Sequence, residues 1–250
     1  NAAKTTSGAV SFMETFSQVS SVIGQEGRRG ALMISMDCNH DDIEEFIDAK
    51  RNTDKLEGCN ISVRCDNQFM KDSQCKDYGQ RRLMMKLAEN NWDYAEPGIL
   101  FWDNINEYNL LSEYIKAGEF EYAGVNPCAE EPLPAGGSCL LGAINLSEFV
   151  AAPFTDHAAF DVVAFREAVR IAVIALNEVL DEGLPLHPLD IQKQTVADWR
   201  QIGLGIMGFA DCLIKLGIPY GSKGSLRVIN VIGRAMNEAG INTSVELALK

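Results

Sequence analysis

Phe12, Phe16, Val19 and Ile23 recur at helical spacing and predict an amphipathic helix over residues 11–23, ended by Gly24. A polar, glycine-containing stretch from Lys4 to Gly8 precedes it, and a short loop rich in glycine and arginine, Gln25 to Gly30, follows. The unbroken apolar run at 31–37 predicts a buried strand. Residues 41–51 place Ile43, Phe46 and Ile47 on one helical face, with acids in the first turn and Lys50-Arg51 at the end, the charge order that suits a helix dipole. Ile61, Val63 and Cys65 alternate with Asn60, Ser62 and Arg64, so residues 60–65 read as a strand. Helices are expected at 66–73 and 79–90, a turn at Pro97-Gly98, and a weakly amphipathic helix at 102–117.

Residues 124–138 break the pattern. Gly124, Pro127, Pro132, Pro134, Gly136 and Gly137 argue against regular structure, yet the segment holds Cys128 among polar neighbours. Residues 139–146 then read as a buried strand, 161–181 as the longest helix, and 199–216 and 225–249 as further helices. Gly203, Gly205 and Gly208 lie inside the first of these, where glycine marks close packing against a neighbour. Helices with strands between them indicate an α/β fold with helical crossovers. No repeat, low-complexity tract or linker divides the chain, so residues 1–250 read as one domain.

The chain has 250 residues, 46% of them hydrophobic, enough for a sizeable core. A net charge of −13 disfavours a nucleic-acid partner. No apolar run approaches the roughly 20 residues that span a bilayer, and no signal peptide opens the chain, so a cytoplasmic protein without a membrane partner is expected. Seven cysteines, an odd number with no C-x-x-C pair, fit neither a secreted disulfide framework nor a zinc module; no metal site is expected. The chain opens Asn1-Ala2-Ala3 without methionine and stops inside a helical pattern, which reads as an excised segment of a longer protein.

Chemistry concentrates in Asn126-Pro127-Cys128-Ala129-Glu130. A cysteine in an irregular loop is presented to a site rather than packed away. Asn126 offers a donor and an acceptor, and Glu130 can accept a proton from a bound hydroxyl. In a locally extended loop these alternate residues point the same way. The competing reading is a proline-shaped surface turn with an incidental thiol.

The sequence that follows runs Glu131-Pro132-Leu133-Pro134-Ala135-Gly136-Gly137-Ser138-Cys139-Leu140-Leu141-Gly142-Ala143-Ile144-Asn145-Leu146. From Asn126 to Leu146 the chain resembles the finger loop and following strand of the ribonucleotide reductases. The Asn-Pro-Cys form and the Pro-Leu-Pro…Ser-Cys-x-Leu-Gly continuation look like class II, the cobalamin-dependent branch. Ser11-Phe12-Met13, Gly27-Arg28-Arg29-Gly30-Ala31, Asp42-Ile43-Glu44-Glu45-Phe46-Ile47, Asn60-Ile61-Ser62-Val63, Ala95-Glu96-Pro97-Gly98 and Gly203-Leu204-Gly205-Ile206-Met207-Gly208 resemble the family in the same order. Their order along one chain makes the likeness specific.

The resemblance implies part of a ten-stranded α/β barrel with the finger loop at its centre, truncated at both ends relative to the parent. It implies reduction of ribonucleotides to deoxyribonucleotides, the step that supplies DNA replication. Cys128 matches the thiyl radical site that abstracts the 3'-hydrogen, Glu130 the group that takes the 3'-hydroxyl proton, Asn126 the residue that holds the substrate hydroxyls, and Cys139 one of the reducing pair. Gln25, Arg28, Arg29, Gly30 and Ala31 resemble the specificity loop that reports a bound effector, with Ser7 and Gly8 in the tail of a second. Adenosylcobalamin is the implied cofactor of the intact parent. The implied partners are a ribonucleoside di- or triphosphate substrate, nucleotide effectors and a thioredoxin-like or other dithiol reductant, with a homodimer compatible. The other reducing cysteine, the substrate phosphate loop and the recharging cysteines fall outside these residues, so the segment is expected to be inactive alone. The rival readings are a class I large-subunit segment, a non-catalytic scaffold domain that kept the barrel sequence, and a metal-binding cysteine module.

Overall fold

The computed structural model describes residues 8–23, 30–51, 56–75 and 79–249, and the expectations for Ser7, Gln25, Arg28 and Arg29 lie outside them. The chain divides into two compact units, Asn1–Ala135 and Gly136–Lys250.

In the first unit the helical pattern after Gly8 forms α1 (Gly8–Val22). Its start is capped from another element, since the Asp42 carboxylate accepts the Ala9 N–H at 2.9 Å. The face expected to be buried is not. Val10, Met13 and Ser17 face the core, while Phe12 and Phe16 are each 59% exposed and Val19 and Ile23 are exposed as well. Both faces of this helix are apolar, so periodicity found the helix and did not select the face.

Strands β1 (Met33–Asp37), β2 (Asn60–Cys65) and β3 (Gly98–Phe101) form a parallel sheet in that order. The register runs Met33↔Asn60 to Asp37↔Arg64, and Ser62↔Gly98 to Cys65↔Phe101. The crossovers are helical: α2 (Ile43–Asp48) between β1 and β2, and α3 (Asn67–Asp72) and α4 (Gly79–Tyr94) between β2 and β3. Two successive β-α-β units are the expected means of joining parallel strands. Period-two alternation gives the sheet two unlike faces. Ile34, Met36, Ile61, Val63 and Cys65 join Phe46, Ile47, Phe69 and Leu87 in one core. Ser35 and Asp37 of β1, and Asn60, Ser62 and Arg64 of β2, occupy the alternate positions, and the Arg64 guanidinium stacks 5.1 Å from the Trp102 ring centre.

Helix α4 is polar and is held to α2 by charge. Lys86 pairs with Asp48 at 2.6 Å, Arg82 pairs with Glu44, and the buried Asn90 accepts from Arg51 and donates to Asp48. Burial pushes the Asp48 carboxyl up, but hydrogen bonds from Lys86 and Asn90 and the nearby cations outweigh it and hold it below its ordinary value. The turn expected at Pro97-Gly98 is a bend that ends at Pro97, and Gly98 opens the four-residue β3. The helix expected over 102–117 is two short ones, α5 (Trp102–Glu107) and α6 (Ser112–Ala117), the second closed by Gly118 at φ 74°.

The second unit is built on β6 (Leu140–Asn145) and β9 (Ile202–Met207), paired in parallel from Leu140↔Ile202 to Asn145↔Met207. Strand β9 and α9 (Phe209–Lys215) correct the helix expected over 199–216. Gly203 and Gly205 are positions of β9, and a Cβ at Gly205 would lie 3.7 Å from Gly142 O of the partner strand. A Cβ at Gly142 would lie 3.5 Å from Leu176, on α7 (Val162–Gly183), and Gly142 pairs with Leu204. Helix α8 (Asp190–Trp199), with Val196 its one buried residue, is an element that the sequence pattern did not signal. The short pair β7 (Val150–Ala151) and β8 (Ala159–Phe160) was likewise not anticipated.

Asp161 caps α7 by accepting the Ala164 N–H, and Phe165, Val169, Val173 and Leu180 form its buried stripe. Phe165, Val169 and Val173 pack with Leu146, Cys212, and Ile232 and Ala235 of α10 (Lys223–Ala248). Arg200, itself left-handed at φ 44°, grips Asp181 through two hydrogen bonds of 2.7 and 2.9 Å and so fixes the entry to β9 on α7.

No closed sheet forms among the described residues, whose parallel ladders are β1-β2-β3 and β6-β9. No described helix is long and apolar enough to cross a membrane. Gly208 joins β9 to α9 at φ +68°, and a Cβ there would lie 2.1 Å from Asn145 Oδ1. Gly208→Ala is therefore expected to lose about 2–3 kcal/mol, from backbone strain plus a displaced Asn145, read as a lower urea midpoint.

Candidate active site

The segment holding Cys128 is a small hairpin. Strands β4 (Gly124–Val125) and β5 (Pro132–Leu133) pair antiparallel, Gly124↔Leu133 and Val125↔Pro132, and residues 126–131 connect them. The two-residue ladder is the regular structure that the prolines and glycines had argued against. Its connection is a turn and not the extended stretch expected. Asn126 O accepts from Ala129 N at 2.9 Å, with Pro127 and Cys128 as the central residues. Proline suits the first central position because its ring fixes φ. Ala129 at φ +66° then reverses the chain. Asn126 closes the loop twice more, taking the Glu131 N–H on Oδ1 at 2.9 Å and giving its own N–H to Glu131 O at 3.1 Å. The turn places Cys128 exposed at the tip and Glu130 exposed beside it, with Asn126 half-buried at the base.

A contact distant in sequence anchors this tip. Asn60 Nδ2, at the head of β2, donates to Pro127 O at 2.6 Å. Asn60 also lines a cavity of about 380 Å³ with Ser21, Gly30, Ala31, Leu32, Glu57 and Gly58. Two of the residues expected in a specificity loop, Gly30 and Ala31, thus share a cavity with the residue that holds the Cys128 turn. Gly30 is required where it sits: a Cβ would lie 2.6 Å from Ser20 O of α1. Gly8 opens α1, at φ +77°. Sequence reasoning gave Asn60 no role. The signal available was its place in the polar alternation of β2, which marks a sheet face turned away from the core.

Cys139, half-buried, precedes β6 in the second unit, its Sγ 3.8 Å from Leu140 O. No disulfide joins any of the seven cysteines. Cys38, Cys59, Cys65 and Cys212 are buried, and burial pushes each thiol up, Cys65 to about 12 with Cys38 and two aspartates adding to the effect. Only the thiolate alkylates, so iodoacetamide at pH 8 is expected to label Cys75 and Cys128 in the native protein and to spare the four buried thiols until unfolding. Peptide mass spectrometry checks this, and fast labelling of Cys65 would contradict the packing of β2. Among the described residues no three His, Cys, Asp or Glu side chains are grouped to hold a metal ion.

The family described as ribonucleotide reductase, barrel domain, matches residues 1–78 and 71–250. A vitamin B12-dependent ribonucleoside-diphosphate reductase of Thermoplasma acidophilum is 36% identical, over 97% of this chain and 32% of its own length. One of Mycobacterium tuberculosis is 32% identical, over 98% of this chain and 36% of its own. The chain thus spans about a third of these curated relatives. Among solved structures, the class Id ribonucleotide reductase alpha subunit of Actinobacillus ureae superposes with a TM-score of 0.81, at 23% identity over 97% of this chain and 45% of that one.

Proposed function

The chain belongs to the ribonucleotide reductase barrel-domain family, and we propose on that premise that it is the central catalytic segment of an adenosylcobalamin-dependent ribonucleotide reductase. The observation that carries the reading is the turn of Asn126, Pro127, Cys128 and Ala129. It exposes a thiol at its tip and is tied through Asn60 to a cavity lined by Gly30 and Ala31. The substrate is a ribonucleoside diphosphate, in line with the names of the two relatives.

In this reading Cys128, as a thiyl radical, takes the 3'-hydrogen of the ribose and later returns it. A thiol S–H bond is close in strength to the activated C–H bond, so the transfer runs in both directions. Glu130 accepts the 3'-hydroxyl proton, and the Asn126 amide holds the hydroxyls. The 2'-hydroxyl leaves as water. Cys139 and a second thiol from the rest of the protein supply two electrons and become a disulfide. Adenosylcobalamin, when bound, would supply the radical chemistry that activates the Cys128 thiol. The residues present fit its approach in one respect: Cys128 stands exposed at the tip of its turn.

Both units are parts of one ten-stranded α/β barrel domain, a reading supported by a family match that runs through both and by parallel ladders in each. The intact protein binds nucleotide effectors near Gly8, Gly30 and Ala31, and Ser7, Gln25, Arg28 and Arg29, by their resemblance to the family's specificity loops, take part in the same function. It draws on a dithiol reductant of thioredoxin type. The exposed stripe of Phe12, Phe16 and Val19 on α1, continued by Ile23 just past its end, supports a homodimer, because apolar patches of that kind are covered in assemblies.

The test is deoxynucleoside diphosphate formation by the intact protein supplied with adenosylcobalamin and dithiothreitol. Product that depends on the cobalamin is expected, and the 250-residue segment alone yields none. Turnover without cobalamin, driven by a separate radical-bearing subunit, would overturn the class II reading.

A further inference from the structure

We infer that Asn60 is a positioning residue for Cys128, fixing the peptide plane that carries the thiol and coupling it to the cavity beside Gly30 and Ala31. This rests on the site reading above. The acceptor of the Asn60 side chain is Pro127 O, the carbonyl of the peptide bond that enters Cys128, at 2.6 Å. The proline ring fixes φ of residue 127, and the peptide bond is planar. The remaining free torsion before the Cys128 Cα is therefore ψ of Pro127, which sets where the carbonyl points. Holding that oxygen holds the Cys128 Cα.

The other end of the link is firm. The Asn60 backbone N–H donates to Leu32 O at 2.7 Å, and Asn60 opens the ladder of β2 with Met33. Ile61, the next residue, is tied by its N–H to Glu96 Oε1 at 3.0 Å, and Glu96 is also ion-paired with Lys50. Asn60 therefore stands on a fixed strand end and reaches to a turn whose own ladder is two residues a side.

The residue type matters. A carbonyl oxygen needs a donor, and asparagine supplies one from a short side chain, whereas aspartate of the same shape is acceptor-only when ionised and repels the carbonyl. Because Asn60 also walls the cavity with Gly30, Leu32 and Gly58, whatever occupies that space bears on the group that orients the thiol. The link thus gives the specificity loop a physical route to the radical site.

The experiment uses the intact reductase with Asn60→Ala, Asn60→Asp, Asn60→Gln and Cys128→Ser, measuring kcat and KM for nucleotide reduction and the iodoacetamide rate at Cys128. Asn60→Ala and Asn60→Asp should lower kcat about tenfold or more with KM within about twofold, since a misplaced reacting atom costs rate rather than affinity. Both should change the Cys128 labelling rate, and Asn60→Gln should recover part of the lost kcat. Wild-type kcat and labelling rate in the Ala and Asp variants of an enzyme that Cys128→Ser inactivates would overturn the role of Asn60 alone. An active Cys128→Ser enzyme would overturn the site itself, and this role with it.

Discussion

Replacing Cys128 with serine in the intact reductase is expected to lower deoxynucleotide formation by at least about 10³-fold, a barrier increase of about 4 kcal/mol. Oxygen and sulfur differ little in size, so the change is chemical. An O–H bond is much stronger than an S–H bond, so serine cannot be converted by the same abstraction and cannot receive and return a hydrogen atom on equal terms with a sugar carbon. The structure says where the loss would come from. Cys128 is exposed at a turn tip, and the hydrogen bonds that shape the turn run through Asn126, Ala129 and Glu131 backbone and the Asn126 side chain. An exposed substitution of this kind leaves stability within about 0.5 kcal/mol. Thermal unfolding measured beside activity separates the two, and a serine enzyme within tenfold of the parent would remove Cys128 from the reaction.

Cys139→Ser is expected to stop net reduction to a similar degree, yet to leave the first hydrogen transfer running. Release of the 2'-hydroxyl as water has to be followed by delivery of two electrons, and a dithiol delivers them as it closes to a disulfide. With one thiol gone the pair cannot form. Removal of the 3'-hydrogen precedes that need, so a 3'-deuterium label should still wash out into solvent through the exchangeable Cys128 thiol. The location of Cys139 suits an electron donor more than a packing residue: it is half-buried, just ahead of β6, outside the core of Leu146, Phe165, Val169 and Cys212. Mass spectrometry of recovered nucleotide reads both quantities. If exchange and reduction disappear together, the separation of roles between the two cysteines is wrong.

Much of this architecture is legible in the sequence, and the exceptions have physical causes. Helices α2, α7 and α10 declared themselves because each buries one face and exposes the other. Strand β2 did so by strict alternation. Helix α1 was found while its orientation was not, since Val10 and Met13 compete with Phe12 and Phe16 for the inside and only neighbours decide. The Ile202–Met207 segment misled because glycine alternating with large apolar residues satisfies a helical template as readily as a strand; what decides it is the ladder with the Leu140–Asn145 strand, where a Cβ at Gly205 would lie 3.7 Å from Gly142 O. Helix α8 buries only Val196, too little to print a pattern. At the site, the stretch around Cys128 expected to be extended is a turn closed by Ala129 N and Asn126 O, with Pro127 at its first central position. The bond from Asn60 spans 67 positions of sequence, and nothing local foretells it.

The split character of β2 constrains how this protein can vary. Inserting or deleting one residue between Cys59 and Asp66 would exchange the two sets of side chains, because sidedness in a strand inverts with each step. Arg64 would be driven among Phe46 and Leu87, and the amide that reaches Pro127 would leave the loop in the same event. Folding and chemistry are thereby locked to a single reading frame of six residues, so lineages should tolerate many exchanges within this strand but no change in its length.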